Sequence, residues 1–187
     1  MSVNTANPHD AAILHVTGSA QYTDDIPTPE NTLHLAFGLS EVANGKITSM
    51  DFKNVLSAEG VQDIITAAGI SGKNDISPAP YPEPLLSEGK VNYIGQPIFI
   101  CAATSHLLAR KAIKLSNINI REKKAVLSIE DALQAKTFLE QPITFKKGNA
   151  RTAIANAKNT LEGSINIGGQ EHFYLEGQAA LAIPHDD

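Results

Sequence analysis

Apolar residues fall into strand-length runs through the first two thirds of the chain. Thr32 to Ser40 (TLHLAFGLS), Gly45 to Phe52 (GKITSMDF), Val61 to Thr66 (VQDIIT), Lys90 to Thr104 (KVNYIGQPIFICAAT) and Asn117 to Ile120 (NINI) alternate or run continuously apolar. This pattern predicts the strands of a mixed sheet. The segment SHLLARKAIKL between the last two runs changes period: Leu108, Ala109, Ala112 and Ile113 share one helical face, while Arg110, Lys111 and Lys114 face away. With Thr104 or Ser105 as cap, it predicts a helix covering the sheet. SIEDALQA, where Ser128 and Asp131 have capping-box spacing, and NARTAIANAKN after Gly148 predict two further helices. All three helices are expected to be architectural.

Breaks in the pattern set the organisation. Ser71 to Leu86 (SGKNDISPAPYPEPLL) holds four prolines, which cannot donate in a central strand and bias their predecessors away from helix, so a long ordered loop or a set of turns is expected. Residues 136–150 (KTFLEQPITFKKGNA) form a polar connection, and a domain boundary is expected between about residues 125 and 145.

Composition narrows the function. A chain of 187 residues, 42% hydrophobic, has enough apolar material for one fair-sized core or two small ones. Fifteen Lys and Arg are dispersed among 20 Asp and Glu, for a net charge of −5. No basic face for nucleic acid results. MSVNTANPHD has no signal-peptide pattern and no apolar run is long enough for a bilayer, so no membrane association and a cytoplasmic location are expected. Cys101 is the single cysteine. It leaves no internal disulfide and no all-thiolate metal or iron–sulfur site within this chain, and its place in IFICAA predicts a buried small hydrophobe.

Few candidate sites survive. GISGK (Gly69 to Lys73) is not a phosphate loop, because Ala67 stands where the first glycine belongs and Asn74 replaces the terminal hydroxyl. His172 and Glu176 are four apart and could share a helix face toward a metal, but His9, His15, His34, His106 and His185 add no partner spacing. There is no GxSxG elbow and no complete catalytic constellation. The remaining feature is GGQEHFYLE, Gly168 to Glu176, in a chain poor in aromatics. Gly168 and Gly169 permit positive φ or a close approach, and Gln170 offers an amide that donates, accepts and stays neutral. The residues alone leave open a glycine turn between two strands, with GQAALAIP (Gly177 to Pro184) resuming an apolar strand, or a turn presenting a polar handle to a ligand.

GGQEHFYLE resembles the signature of the molybdenum-binding part of xanthine dehydrogenases and related aldehyde oxidases. GSAQYTDDIP (Gly18 to Pro27), NDISPAPYPEPLLSEGKVNYIGQPIFICAATS (Asn74 to Ser105) and KKGNARTAIANAKNTLEGSI (Lys146 to Ile165) resemble further parts of that subunit, in order and across nearly the whole chain. The resemblance implies an α+β fold, with an α/β hammerhead domain over residues 17–123 and the truncated beginning of a molybdopterin-binding domain over residues 145–187. It implies molybdenum–molybdopterin as cofactor, with iron–sulfur clusters and FAD on a partner subunit or domain, and hydroxylation of hypoxanthine or xanthine with electrons passed to NAD. Gln170 would lie beside the molybdenum and hydrogen-bond an oxygen on it, with Gly168 and Gly169 as cofactor contacts. The family's catalytic glutamate, substrate-binding arginines and most pterin contacts match no residue here, so the chain is expected to be an amino-terminal fragment with no catalytic residue of its own. Two other readings stay open: a non-catalytic hammerhead assembly or binding module, and an aldehyde or N-heterocycle hydroxylase of the same family.

Overall fold

The structure, a computed structural model, describes residues 6–78, 81–174 and 177–184. In chain order the elements are α1 (Ala12–Thr17), β1 (His34–Leu39), β2 (Gly45–Asp51), α2 (Lys53–Leu56), β3 (Val61–Thr66), β4 (Lys90–Val91), β5 (Pro97–Ala103), α3 (His106–Ala112), β6 (Asn117–Glu122), α4 (Ile129–Ala135) and α5 (Ala150–Ala155). Short 3-10 turns occupy Thr23–Asp25, Ala67–Gly69 and Ile113–Leu115. The chain divides into two compact units: Pro29–Gln141, which holds all six strands, and a second formed by the two ends, Met1–Thr28 with Pro142–Asp187.

The strands form two three-stranded sheets, ordered β1-β5-β3 and β4-β2-β6, and every pair is antiparallel. This differs from the single mixed sheet expected of the pattern. The reason lies in Lys90 to Thr104, which is two strands and not one. Gly95 takes φ +88°, where L-residues are strained. Its N–H donates to the Ser40 carbonyl over 2.7 Å, and the buried Gln96 Oε1 accepts from the Asn92 N–H over 2.7 Å. That turn carries the chain from one sheet into the other.

Strand β5 (PIFICAA) is central in its sheet and buried on both faces, as its unbroken apolar run requires. Phe99, Ile98 and Cys101 join Val55, Val91 and Ala112 in the main core, against which Ile47, Phe52, Ile118 and Ile120 pack from the second sheet and its flanks. Ser105 caps α3, its Oγ accepting from the Leu108 N–H over 3.2 Å. Ala109 and Ala112 are the buried positions of that helix, and their small size lets α3 sit close to β1 and β5. Ser128 Oγ accepts from the Asp131 N–H at the start of α4, but no residue of α4 or α5 is buried.

The proline segment is an ordered loop. The Asn74 amide donates to the Leu86 carbonyl and to Glu88 Oε1, while Asn74 Oδ1 accepts from the Leu86 N–H. Asp75 Oδ1 accepts from the N–H groups of Ser77 and Glu83. Thus two side chains close the loop on itself and satisfy backbone groups that no sheet provides for.

Candidate functional site

The GGQEHFYLE stretch lies in irregular structure: no helix or strand is formed between residues 157 and 184 among the described residues. The expected strand over Gly177 to Pro184 is therefore absent, because these apolar residues find no partner strand among the described residues; Leu175, Glu176 and His185 fall outside them. Neither Gly168 nor Gly169 has a positive φ, and a Cβ built on either would meet nothing within 4 Å. Of the two readings left open, a glycine turn between two strands is not formed here, and nothing among the described residues approaches these glycines. Gln170 is exposed, and its amide makes no hydrogen bond within the described residues. After it, the Phe173 N–H donates to Glu171 Oε1 over 3.2 Å with Phe173 at φ +55°, and the His172 and Tyr174 rings stack 5.6 Å apart.

Shifted titrating groups lie elsewhere. Lys73 Nζ stands 2.6 Å from Asp75 Oδ2. This partner, with the hydrogen bonds from Ser77 and Glu83, holds the Asp75 carboxyl far below the usual carboxylate range. The lysine of GISGK is thus engaged within the loop. A hydrogen bond to Glu140 pushes the Tyr81 hydroxyl up, and burial pushes the Cys101 thiol up. Cys101 is the buried small hydrophobe that its surroundings predicted. These groups serve packing and loop closure.

Residues 17–124, more than half of the chain, match the profile of the aldehyde oxidase and xanthine dehydrogenase a/b hammerhead domain. The chain belongs to the aldehyde oxidase and xanthine dehydrogenase family. Residues 131–187 match the molybdopterin cofactor-binding domain, so molybdopterin is the cofactor of the family part that begins here. Xanthine dehydrogenase of Drosophila subobscura is 38% identical over 95% of this chain and 14% of its own length. Aldehyde oxidase 1 of Rattus norvegicus is 39% identical over 94% of this chain and 13% of its own length. The solved aldehyde oxidoreductase from Desulfovibrio gigas matches with TM-score 0.60 and 30% identity, over 67% of this chain and 15% of that one. These family members are oxidoreductases by name, and this chain spans 13 to 14% of the length of the curated relatives.

The donor set bears on how such a cofactor would be held. Among the described residues no group of three or more His, Cys, Asp and Glu is placed to bind a metal ion. The described residues thus offer no such ligand set of their own. A metal carried by an organic cofactor asks only for groups that orient it, and a free neutral amide beside two uncrowded glycines fits that need. Gln170, Gly169 and Gly168 would be the contacts, presented in an open stretch and not in a closed cradle. No helix among the described residues is long and apolar enough to cross a membrane.

Proposed function

We propose that this chain is the hammerhead domain, residues 17–123, and the beginning of the molybdopterin-binding domain, residues 145–187, of a xanthine dehydrogenase that hydroxylates hypoxanthine and xanthine. Electrons would pass through iron–sulfur clusters and FAD on a partner subunit or domain to NAD, and the enzyme would work in the cytoplasm. The observation that carries the site is the unexplained pair of glycines. Glycine is entropically costly in an ordered chain, by about 0.5 to 1 kcal/mol relative to alanine. Yet neither a positive φ nor a crowded Cβ position demands Gly168 or Gly169. A demand from outside the described residues, such as a cofactor lying against the backbone, accounts for both.

The molybdenum cofactor supplies the hydroxylation chemistry when bound. The chain's part would be orientation: the Gln170 amide would donate to the bound group, and its neutrality would keep that interaction the same across working pH. In the assembled enzyme, Gln170→Ala should lower molybdenum content or xanthine-dependent NAD reduction by about 10- to 100-fold, the usual cost of losing a group that orients a metal's ligands. The melting temperature should not move, because Gln170 is hydrogen-bonded to nothing among the described residues. Full metal content with full activity would refute the role, and a lower melting temperature with unchanged activity per molybdenum would make Gln170 a structural turn residue.

The choice of purine over aldehyde rests on the EHFYLE form of the motif, since identity to xanthine dehydrogenase and aldehyde oxidase relatives is nearly equal at 38% and 39%. Turnover of xanthine against an aromatic aldehyde by the same preparation separates the two. Molybdenum analysis of the assembled protein tests the remaining alternative, a hammerhead module without cofactor.

A further inference from the structure

The register of the β4-β2-β6 sheet brings three cations into one row. Lys46 of β2 stands opposite Lys90 of β4 on one side and Arg121 of β6 on the other. Residues directly opposite in an antiparallel ladder share a face, so the three lie on the wet face, and all are exposed. The adjoining Ile47 and Ile120 turn the other way and pack against the core. Like charges placed opposite each other destabilise a sheet, and among the described residues nothing offsets them. The one ion pair there is Lys73 with Asp75, and the three side chains donate no hydrogen bond. Carboxylates on and beside these strands are engaged or averted: Glu88 accepts from the Asn74 amide, Glu122 stands opposite Gly45 on the inner face, and Asp51 lies at the far end of β2. The backbone thus holds a row of unpaired cations in a chain whose net charge is −5.

We propose that this row docks an acidic helix belonging to the part of the enzyme outside these residues, an inference that rests on the reading of the chain as one piece of a larger molybdenum enzyme. Spacing selects the helix. Strands lie about 4.8 Å apart, so the row runs about 10 Å across the sheet. Acidic residues at i, i+3 or i+4, and i+7 of a helix span about 10.5 Å along one side and give each cation one carboxylate. Three same-face residues of an extended segment span about 13 Å and overrun the row. A polyanion fits less well: three cations are few beside the roughly six to ten phosphate contacts of a duplex binder, and the net negative charge repels a long polyanion or an anionic membrane. Strength selects the source. Exposed ion pairs are individually weak, so three cannot hold a free partner, but they can orient a segment already linked to the chain at high effective concentration. This chain spans 13 to 14% of the length of the curated relatives, so the larger enzyme has ample chain to supply such a helix.

Carbodiimide coupling of the assembled enzyme, which joins lysine amines to carboxylates in contact with them, tests this when read by peptide mass spectrometry. Lys46 and Lys90 should both be joined to one helical segment outside residues 1–187, and Lys111, exposed on α3, should not be joined to it. Coupling only to carboxylates within residues 1–187, or to none, overturns the proposal. So does binding of the chain to single-stranded DNA or to phosphatidylserine vesicles that Lys46→Gln abolishes. Stability should respond with opposite sign in the two settings. Lys46→Gln should raise the melting temperature of the chain alone by on the order of 1 to 3 °C, because it relieves the row. In the assembled enzyme it should lower the urea midpoint, because a docked carboxylate loses its partner. Should Lys46→Gln not fold, Arg121→Gln gives the same reading. A rise in both settings leaves the row without a partner and overturns the proposal. Coupling without xanthine turnover would remove the substrate reading alone, and xanthine turnover without coupling would remove this inference alone.

Discussion

At Gly38 an added methyl group would stand 1.9 Å from Phe99 Cε1 and 2.3 Å from its Cζ. Phe99 is completely buried, its ring 4.7 Å from that of Phe52, so it has no space into which to retreat. Phe99 lies opposite Gly38 in the β1–β5 register, and its ring covers the backbone where a side chain would otherwise sit. Gly38→Ala should thus destabilise the fold by about 1 to 3 kcal/mol, as overpacking does, and a urea melt will show it as a lower midpoint. Gly169→Ala meets nothing. It should leave the same melt unchanged while lowering molybdenum content in the assembled enzyme. The two glycines look alike in the sequence. Only the position of Phe99 gives one an internal reason, which is why residue-by-residue reading could not separate the glycine that packs from the glycine that nothing among the described residues crowds.

Elements built from local signals were readable and elements defined by partners were not. Helix α3 announced itself through Ser105 and the spacing of Leu108, Ala109 and Ala112, and it forms where expected, within His106–Ala112. Replacing Ser105 by Ala should cost about 1 kcal/mol. It should also raise exchange at the Leu108 amide, which loses its acceptor, and an unchanged melting temperature would show that the cap carries no stability. Strands β2, β3 and β6 were legible from alternation for the same reason. By contrast, Lys90 to Thr104 read as one strand because Val91, Tyr93 and Ile94 continue the apolar pattern across the break. The signal that divides it, Gly95 followed two residues later by Pro97, was present in the sequence, but the bonds that enforce it go to Ser40 and Asn92. Sheet membership is likewise a choice among distant partners, such as Gly45 with Val91 and Glu122, and no local pattern encodes it. The apolar alternation at Gly177 to Pro184 shows the converse: a strand-like pattern stays irregular when the described residues supply no strand to pair with it.

At the scale of the whole molecule, burial is distributed unequally. Among the described residues every fully buried one lies between Pro29 and Gln141 and none from Pro142 onward, where Phe145, Leu161 and Phe173 are almost wholly exposed. The hydrophobic contribution to stability scales with area removed from water, at about 25 cal/mol per Å². The second segment therefore contributes little of it despite its apolar composition. Opening free energies in one protein range from near zero at unpacked segments to the global value in the core. Amide exchange of the chain should accordingly fall into two classes. Amides of Ile98 to Ala103 in β5 should exchange only through global unfolding, and their protection should drop together as urea is added. Amides of residues 158–172 should exchange close to the rate of an unstructured peptide and show no urea dependence, since no helix or strand bond holds them. Cofactor docking gives the second class a reason to change: if Gly168 to Gln170 lie against a bound group in the assembled enzyme, their protection should rise there while that of β5 stays constant. Equal protection of both segments in the chain alone would overturn this division, and it would remove the open stretch on which the role of Gln170 rests.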